Sequence, residues 1–232
     1  MRGDKIWAVV PAKDLVDAKS RLAGVLRPEQ RRRLAIAMLE DVLAALAGTI
    51  ALADIAVVTR EPELAERARA SGARVIADLR HSGPNGAIAL AAARLAAEGA
   101  TGMIAVPADV PSLTPTAIEQ ILEAMKPAPS VTLVPALADM GTNAVALTPV
   151  DVIPPCFGPQ SFFRHQEAAL ARGLTPRILR LAEIGFDLDR AEDLAAFVAQ
   201  PSRTKSFALL RECGIAARLD RGASRAAHRI DS

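Results

Sequence analysis

The sequence predicts an α/β domain with a mainly parallel sheet in three α/β/α layers, and three observations predict it. Short apolar runs stop on proline or a polar residue, alanine- and leucine-rich helical stretches follow them, and this alternation continues over most of the chain. Hydrophobic residues make up 51% but aromatics only 3%, which suits helices and leaves little to stack against single-stranded nucleic acid. A length of 232 residues is enough to bury one such domain with a modest extension.

The elements follow in order. Ile6–Val10 is a buried apolar run ended by Pro11, so it reads as the first strand. Pro28 suits a first helical position, and Leu34, Met38, Leu39, Val42, Leu43 and Leu46 then follow one helical face. Ile55–Thr59 is a second strand, Glu61–Ser71 a helix closed by Gly72, and Arg74–Ala77 a third strand. A loop from Ser82 to Gly86 leads into an alanine-rich helix reaching Glu98, and Met103–Val106 is the next strand. Thr114-Pro115 caps a helix to Met125. Val131–Val134 and Asn143–Leu147 are strands, Ser161–Arg172 is helical, and Arg177–Leu181 has strand character. Asp187-Leu188-Asp189 precedes a helix holding Glu192-Asp193-Leu194. Composition breaks near Pro201, which divides the chain into a domain of residues 1–200 and a basic extension, 201–232, partly helical or frayed.

The formal net charge is only +2. The tail arginines Arg203, Arg211, Arg218, Arg221, Arg225 and Arg229, with Lys205, read as a solvated face and not as a nucleic-acid surface. Cys156 and Cys213 make neither a disulfide framework nor a metal spacing, and His81, His165 and His228 do not cluster. With no charged-then-apolar signal at the start and no stretch of membrane-span length, a cytoplasmic protein with no membrane partner is expected.

Chemistry-bearing residues recur where strands end, which is where open α/β sheets bind ligands. The first strand is followed by Lys13, Lys19 and Arg21, with neither a dinucleotide fingerprint nor a P-loop. Cations there can grip a polyphosphate, and the competing reading is a solvated loop. Ser82-Gly83-Pro84-Asn85-Gly86 lets backbone approach a ligand, and the Asn85 amide suits a base edge or ribose; an ordinary helix cap is the alternative. Asp109 stands between Pro107 and Pro111 after a strand, and Asp187 and Asp189 form a second acidic point. Mg²⁺ favours one or two carboxylates plus substrate phosphates, whereas the structural reading of Asp187 and Asp189 is helix capping. Gly158 and Ser161 lie where a helix begins, a ready phosphate site, and Thr142 adds a hydroxyl. Arg164 and His165 read equally as helix surface or as ligand.

Together these segments resemble the 2-phospho-L-lactate guanylyltransferase family of coenzyme F-420 biosynthesis, variants acting on phosphoenolpyruvate or 3-phospho-D-glycerate included. The resemblance rests on Lys19-Ser20-Arg21-Leu22, Pro107-Ala108-Asp109-Val110-Pro111, Gly141-Thr142-Asn143, Phe157-Gly158, Ser161-Phe162, Arg164-His165 and Asp187-Leu188-Asp189. It runs from the first strand to Leu194 and leaves the tail after Pro201 outside. Arg190-Ala191 and Pro84 depart from the family's usual residues. The resemblance implies a nucleotide-diphospho-sugar transferase-like nucleotidyltransferase fold, with GTP as co-substrate and Mg²⁺ as cofactor. Asp109 would hold the metal with Asp189 or Asp187; Lys13 and Lys19 join Asp109 as catalytic candidates. Arg21, Gly83 and Asn85 fall to the nucleotide, and Thr142, Gly158 and Ser161 to a phosphorylated three-carbon acid. Transfer of GMP to that acid with release of pyrophosphate is the expected reaction. Alternatives are a molybdenum-cofactor-type nucleotidyltransferase and a non-catalytic nucleotide-binding regulatory domain. A homodimer, and a hand-off of product to the next transferase, are further expectations.

Overall fold

Strands form where β-branched and small apolar residues run for four to seven positions, and in this protein six such strands and a two-residue edge strand assemble into one sheet. The computed structural model describes residues 4–13, 15–16, 18–80 and 83–215. In chain order the elements are β1 (Ile6–Pro11), α1 (Pro28–Ala47), β2 (Asp54–Thr59), α2 (Pro62–Ala70), β3 (Arg74–Ala77), α3 (Gly83–Ala97), β4 (Gly102–Ala105), α4 (Pro115–Ala124), β5 (Ser130–Pro135), β6 (Thr142–Thr148), α5 (Ser161–Leu170), β7 (Arg177–Ile178), α6 (Ala182–Gly185), α7 (Ala191–Val198) and α8 (Lys205–Glu212). Sheet order is β3-β2-β1-β4-β6-β5-β7. All pairings are parallel except the two made by β6. The expected three-layer, mainly parallel α/β architecture is therefore the one observed.

Both faces of the sheet are apolar, as a covered parallel sheet requires. Ile6, Ala8 and Val10 of β1 pack with Leu39, Val42, Leu43 and Leu46 of α1, Leu64 and Ala68 of α2, and Ile118 and Ile121 of α4. Trp7 and Val9 face the other way, toward Ile88, Ala91 and Leu95 of α3 and Ala169 of α5. Period-two strands thus feed two helical layers. Because β6 runs against its neighbours, its first residues lie at the same rim as the carboxyl ends of β1 and β4. That reversal brings Asn143 and Thr142 to the same rim.

A break in register decides which way these two point. Val134 of β5 sits opposite Ala144 but Pro135 opposite Thr142, so Asn143 is an extra residue in β6. Without the bulge, Thr142 would share a face with Ala144 and look toward α1 and α4. With it, Thr142 turns to the layer of α3 and α5, and Asn143 to α6. No residue type in the sequence announces this.

Two boundaries differ from expectation, and a third segment, after Pro201, is helical as expected and also packed on the body. The loop from Gly83 to Gly86 is already the first turn of α3, and its Gly83 has φ +64°. The strand expected over Arg177–Leu181 shrinks to the two residues of β7. The extension from Pro201 is packed structure up to Ile215. Leu209, Leu210 and Ile215 are buried with Leu22, Leu34, Met38, Leu194 and Phe197, and Asp41 of α1 accepts from Lys205 N at 2.7 Å and Ser206 N at 2.9 Å. Buried leucines at roughly 1.5–3 kcal/mol each hold this segment to the body whatever its surface charge. Asp14, Ser82, His81 and the basic residues Arg218, Arg221, Arg225 and Arg229, with His228, lie outside the described residues. Among the described residues no helix is long and apolar enough to cross a membrane.

Candidate active site

Two constellations meet at the rim. The first is charged. After β1 the chain enters a short 3-10 turn, Ser20–Leu22, with Lys19 ahead of it in the left-handed region at φ 51°. That uncommon conformation for a lysine carries its side chain inward, to 9% exposure, with Nζ 2.6 Å from Asp109 Oδ2 and 3.5 Å from Asp189 Oδ1. Arg21 pairs with the other oxygen of Asp189 from a more exposed position. Leu188 N donates to the Asp109 carbonyl at 3.0 Å, so backbone joins the two acidic loops.

Asp187 completes this rim and differs from Asp189 in environment. Asn143 Nδ2 donates to Ile184 O at 2.9 Å and to Asp187 Oδ1 at 3.2 Å. Burial, and then the charge of Asp109, push the Asp187 carboxyl up. Burial also pushes Asp189 up, but Lys19 and Arg21 more than offset it and hold Asp189 below the usual carboxylate value. Neither acid caps α7. That task falls to Asp193, whose Oδ2 accepts from Asp189 N at 3.0 Å and Arg190 N at 2.6 Å. Asp189 is left free to face the rim.

The donor set fits a divalent cation of the Mg²⁺ kind. Two carboxylate oxygens from different loops already converge on one positive charge, the Lys19 ammonium. Among the described residues no three acid, histidine or cysteine side chains form a ready-made metal cage. Mg²⁺ bound by few carboxylates and by substrate phosphates needs none.

The second constellation is neutral and buried. His165 of α5 has no exposed surface, Thr142 is 7% exposed and Ser161 2%. His165 Nδ1 lies 3.1 Å from Thr142 Oγ1, Ser161 Oγ donates to Thr142 Oγ1 at 3.2 Å, and Cys156 N donates to His165 Nε2 at 2.9 Å. The Phe157 ring stands edge-on to the imidazole at 4.9 Å. Burial pushes the imidazole down to about 4, so the ring is neutral near pH 7. Helix periodicity puts residue 165 beneath residue 161, and here that face is the inner one. His165 is therefore a core residue beneath Thr142 and Ser161, not helix surface.

Gly158 takes φ +120°, a conformation open to glycine, and lets the chain turn into α5. Arg164 Nη2 donates to Cys156 O at 2.8 Å and Phe157 O at 3.1 Å, bracing the turn from outside. Asn85 braces it from the α3 side: Nδ2 donates to Phe157 O at 3.0 Å and Oδ1 accepts from Phe157 N at 2.6 Å. One donor and one acceptor of its amide are thus engaged with main chain, and one of each remains.

The structure thus brings Lys19, Arg21, Asp109, Asp187 and Asp189 together, and separately Thr142, Ser161 and Gly158. Lys13 is exposed just beyond β1 and, among the described residues, no ion pair ties it to the acids. Gly83 opens α3 at the far side of the Asn85 bridge. Sequence reasoning missed the anchoring roles of Asn143, Asp193 and His165. An i, i+4 relation between Ser161 and His165 was the one signal that could have exposed the last.

Comparison with known proteins bears on what this rim does. The family described as "Guanylyl transferase CofC like" matches residues 6–230. A phosphoenolpyruvate guanylyltransferase of Rubrobacter xylanophilus is 41% identical over 196 residues, covering 84% of this chain and 94% of its own. One from Nocardia farcinica is 36% identical over 232 residues, covering 97% and 99%. Both the family match and the Nocardia alignment run past Pro201, so the resemblance does not end near Leu194 as expected. Among solved structures, a Desulfovibrio desulfuricans chain provisionally described as a nucleotide-diphospho-sugar transferase superposes with TM-score 0.74 at 16% identity, covering 94% of this chain and 98% of its own. A Methanothermobacter nucleotidyl transferase superposes with TM-score 0.61 at 17% identity, covering 84% and 96%. These two show the nucleotidyltransferase fold, and the sequence relatives show the family. The chain belongs to the CofC-like guanylyltransferases.

Proposed function

We propose that this protein transfers GMP from GTP to the phosphate of phosphoenolpyruvate and releases pyrophosphate, a step of coenzyme F-420 biosynthesis. The observation that carries the chemistry is the convergence of Asp109 and Asp189 on one cation at the carboxyl rim of the sheet. The choice of acceptor rests on the sequence relatives that are themselves phosphoenolpyruvate guanylyltransferases.

A phosphate monoester loses its second proton near pH ~6, so the attacking group is already an anion at neutral pH. An oxygen of the acceptor phosphate forms a bond to the α-phosphorus of GTP as the bond from that phosphorus to the bridging β-phosphate oxygen breaks. The pyrophosphate leaves with that electron pair. No base is needed to create the nucleophile; the difficulty lies in bringing two polyanions together. Lys19 and Arg21 bring positive charge to the nucleotide side, with Lys13 at the end of β1. Asp109 and Asp189 would hold Mg²⁺, with Asp187 beside them. The bound ion would neutralise phosphate charge. Thr142, Ser161 and the turn at Gly158 would hold the three-carbon acid, and Asn85 fixes that turn against α3.

The test offers purified protein GTP and Mg²⁺ with phosphoenolpyruvate, 2-phospho-L-lactate or 3-phospho-D-glycerate in turn and follows pyrophosphate. The product is trapped by the next transferase. Fastest release with phosphoenolpyruvate is expected. Faster release with either other acid would reassign the acceptor while keeping the reaction.

A further inference from the structure

The hydroxyl pair in the neutral pocket has a proton to spare, and His165 decides where that proton is used. Cys156 N–H donates to Nε2, so Nε2 carries no proton. A neutral imidazole has one, which must then be on Nδ1. Thr142 Oγ1 therefore accepts from His165 and cannot donate to it.

Count the donors. Between Thr142 and Ser161 there is one contact and there are two hydroxyl protons. One proton fills the contact; whichever residue supplies it, the other is left over. Were His165 protonated on Nε2 instead, Nδ1 would take the spare proton and Cys156 N–H would lose its acceptor. The tautomer thus controls whether the pocket presents a donor. A second observation agrees: the one-residue bulge at Asn143 is what aims Thr142 at this pocket at all. The edge-on Phe157 ring holds the imidazole plane in place.

We propose that His165 is a positioning residue: by accepting from Cys156 and donating to Thr142, it reserves one hydroxyl proton of the Thr142–Ser161 pair for an anionic oxygen of the acceptor acid. The inference rests on the assignment of Thr142 and Ser161 to the acceptor. It deepens that assignment by making the pocket a one-proton donor to an anion, held ready before the acceptor arrives.

Two measurements test it. Long-range proton–nitrogen correlation spectra of the free protein report the tautomer, and the His165 signals are those lost in His165→Asn. The expected result is a protonated Nδ1 and a bare Nε2 with no titration from pH 8 to 5.5; a proton on Nε2 would overturn the inference. In steady-state assays with GTP and phosphoenolpyruvate, His165→Leu should raise the acceptor KM about ten- to a hundredfold and leave the GTP KM unchanged. His165→Asn, whose amide N–H takes the place of Nδ1–H, should recover to within a few-fold of wild type. An Asn variant no better than Leu, with both KM values raised together, would reduce His165 to a packing residue. Absence of turnover in the wild type would sink the acceptor assignment instead, while the spectra would still decide how the hydroxyls are arranged.

Discussion

The charged rim and the neutral pocket begin on adjacent residues of one strand yet are built from opposite materials. Asn143 leads to Asp187, Asp109, Lys19 and Asp189, a partly exposed set of full charges tied by ion pairs. Thr142 leads to Ser161 and His165, a set with almost no exposure and no net charge. The difference matches what each would face. Shifting phosphate charge calls for compensating charge that remains in reach of solvent and metal. Recognition of a small acid calls for few, well-directed donors, because a buried donor left unsatisfied is costly and so discriminates.

The largest effect is expected at the rim. Asp109→Asn should unfold at a temperature close to wild type and lose turnover on the order of a hundredfold or more; near-normal turnover would remove Asp109 from the chemistry. Next comes the pocket's response to acid. His165 in the fold is held down to about 4, against ~6.5 when unfolded. Between these values the unfolded chain binds a proton that the fold does not, so stability is complete above the unfolded value and is lost as pH falls toward 4. The expected loss attributable to His165 is about 1.4 kcal/mol per pH unit across that window. It should appear in urea unfolding as a steeper acid loss for wild type than for His165→Asn; parallel curves would mean the ring is not held neutral. The smallest effect belongs to Arg21, which is 68% exposed in its pairing with Asp189. Arg21→Ala should change the GTP KM by about fivefold at most, and a loss comparable to Asp109→Asn would show that Arg21 grips the nucleotide directly.

The same contrast explains what could be read from sequence. Asp109 was the most legible, because it follows an apolar run directly and the strand end fixes where it goes; Lys19 also admitted a solvated-loop reading, and Asp187 and Asp189 a helix-capping one. The alternation of β1 to α4 was legible through clean apolar periodicity. His165 was harder to read: its i, i+4 relation to Ser161 was the one hint, and which helix face is inner shows only once α5 is docked on the sheet. The bulge at Asn143 was hidden too, since it depends on how β5 and β6 pair and not on either strand's composition. Asp193 as the α7 cap and α8 as part of the body were obscured by charge, which draws the eye to surface and hides a buried seam such as Leu209–Leu210.

One comparison tests the division of labour most directly: pyrophosphate release by Thr142→Val and Asp109→Asn across a full range of phosphoenolpyruvate concentration, with GTP and Mg²⁺ saturating. The account predicts that Thr142→Val raises the acceptor KM and approaches wild-type kcat at saturation, whereas Asp109→Asn remains slow at every concentration. If excess phosphoenolpyruvate rescues neither variant, or rescues both alike, the rim and the pocket do not hold the separate tasks assigned to them.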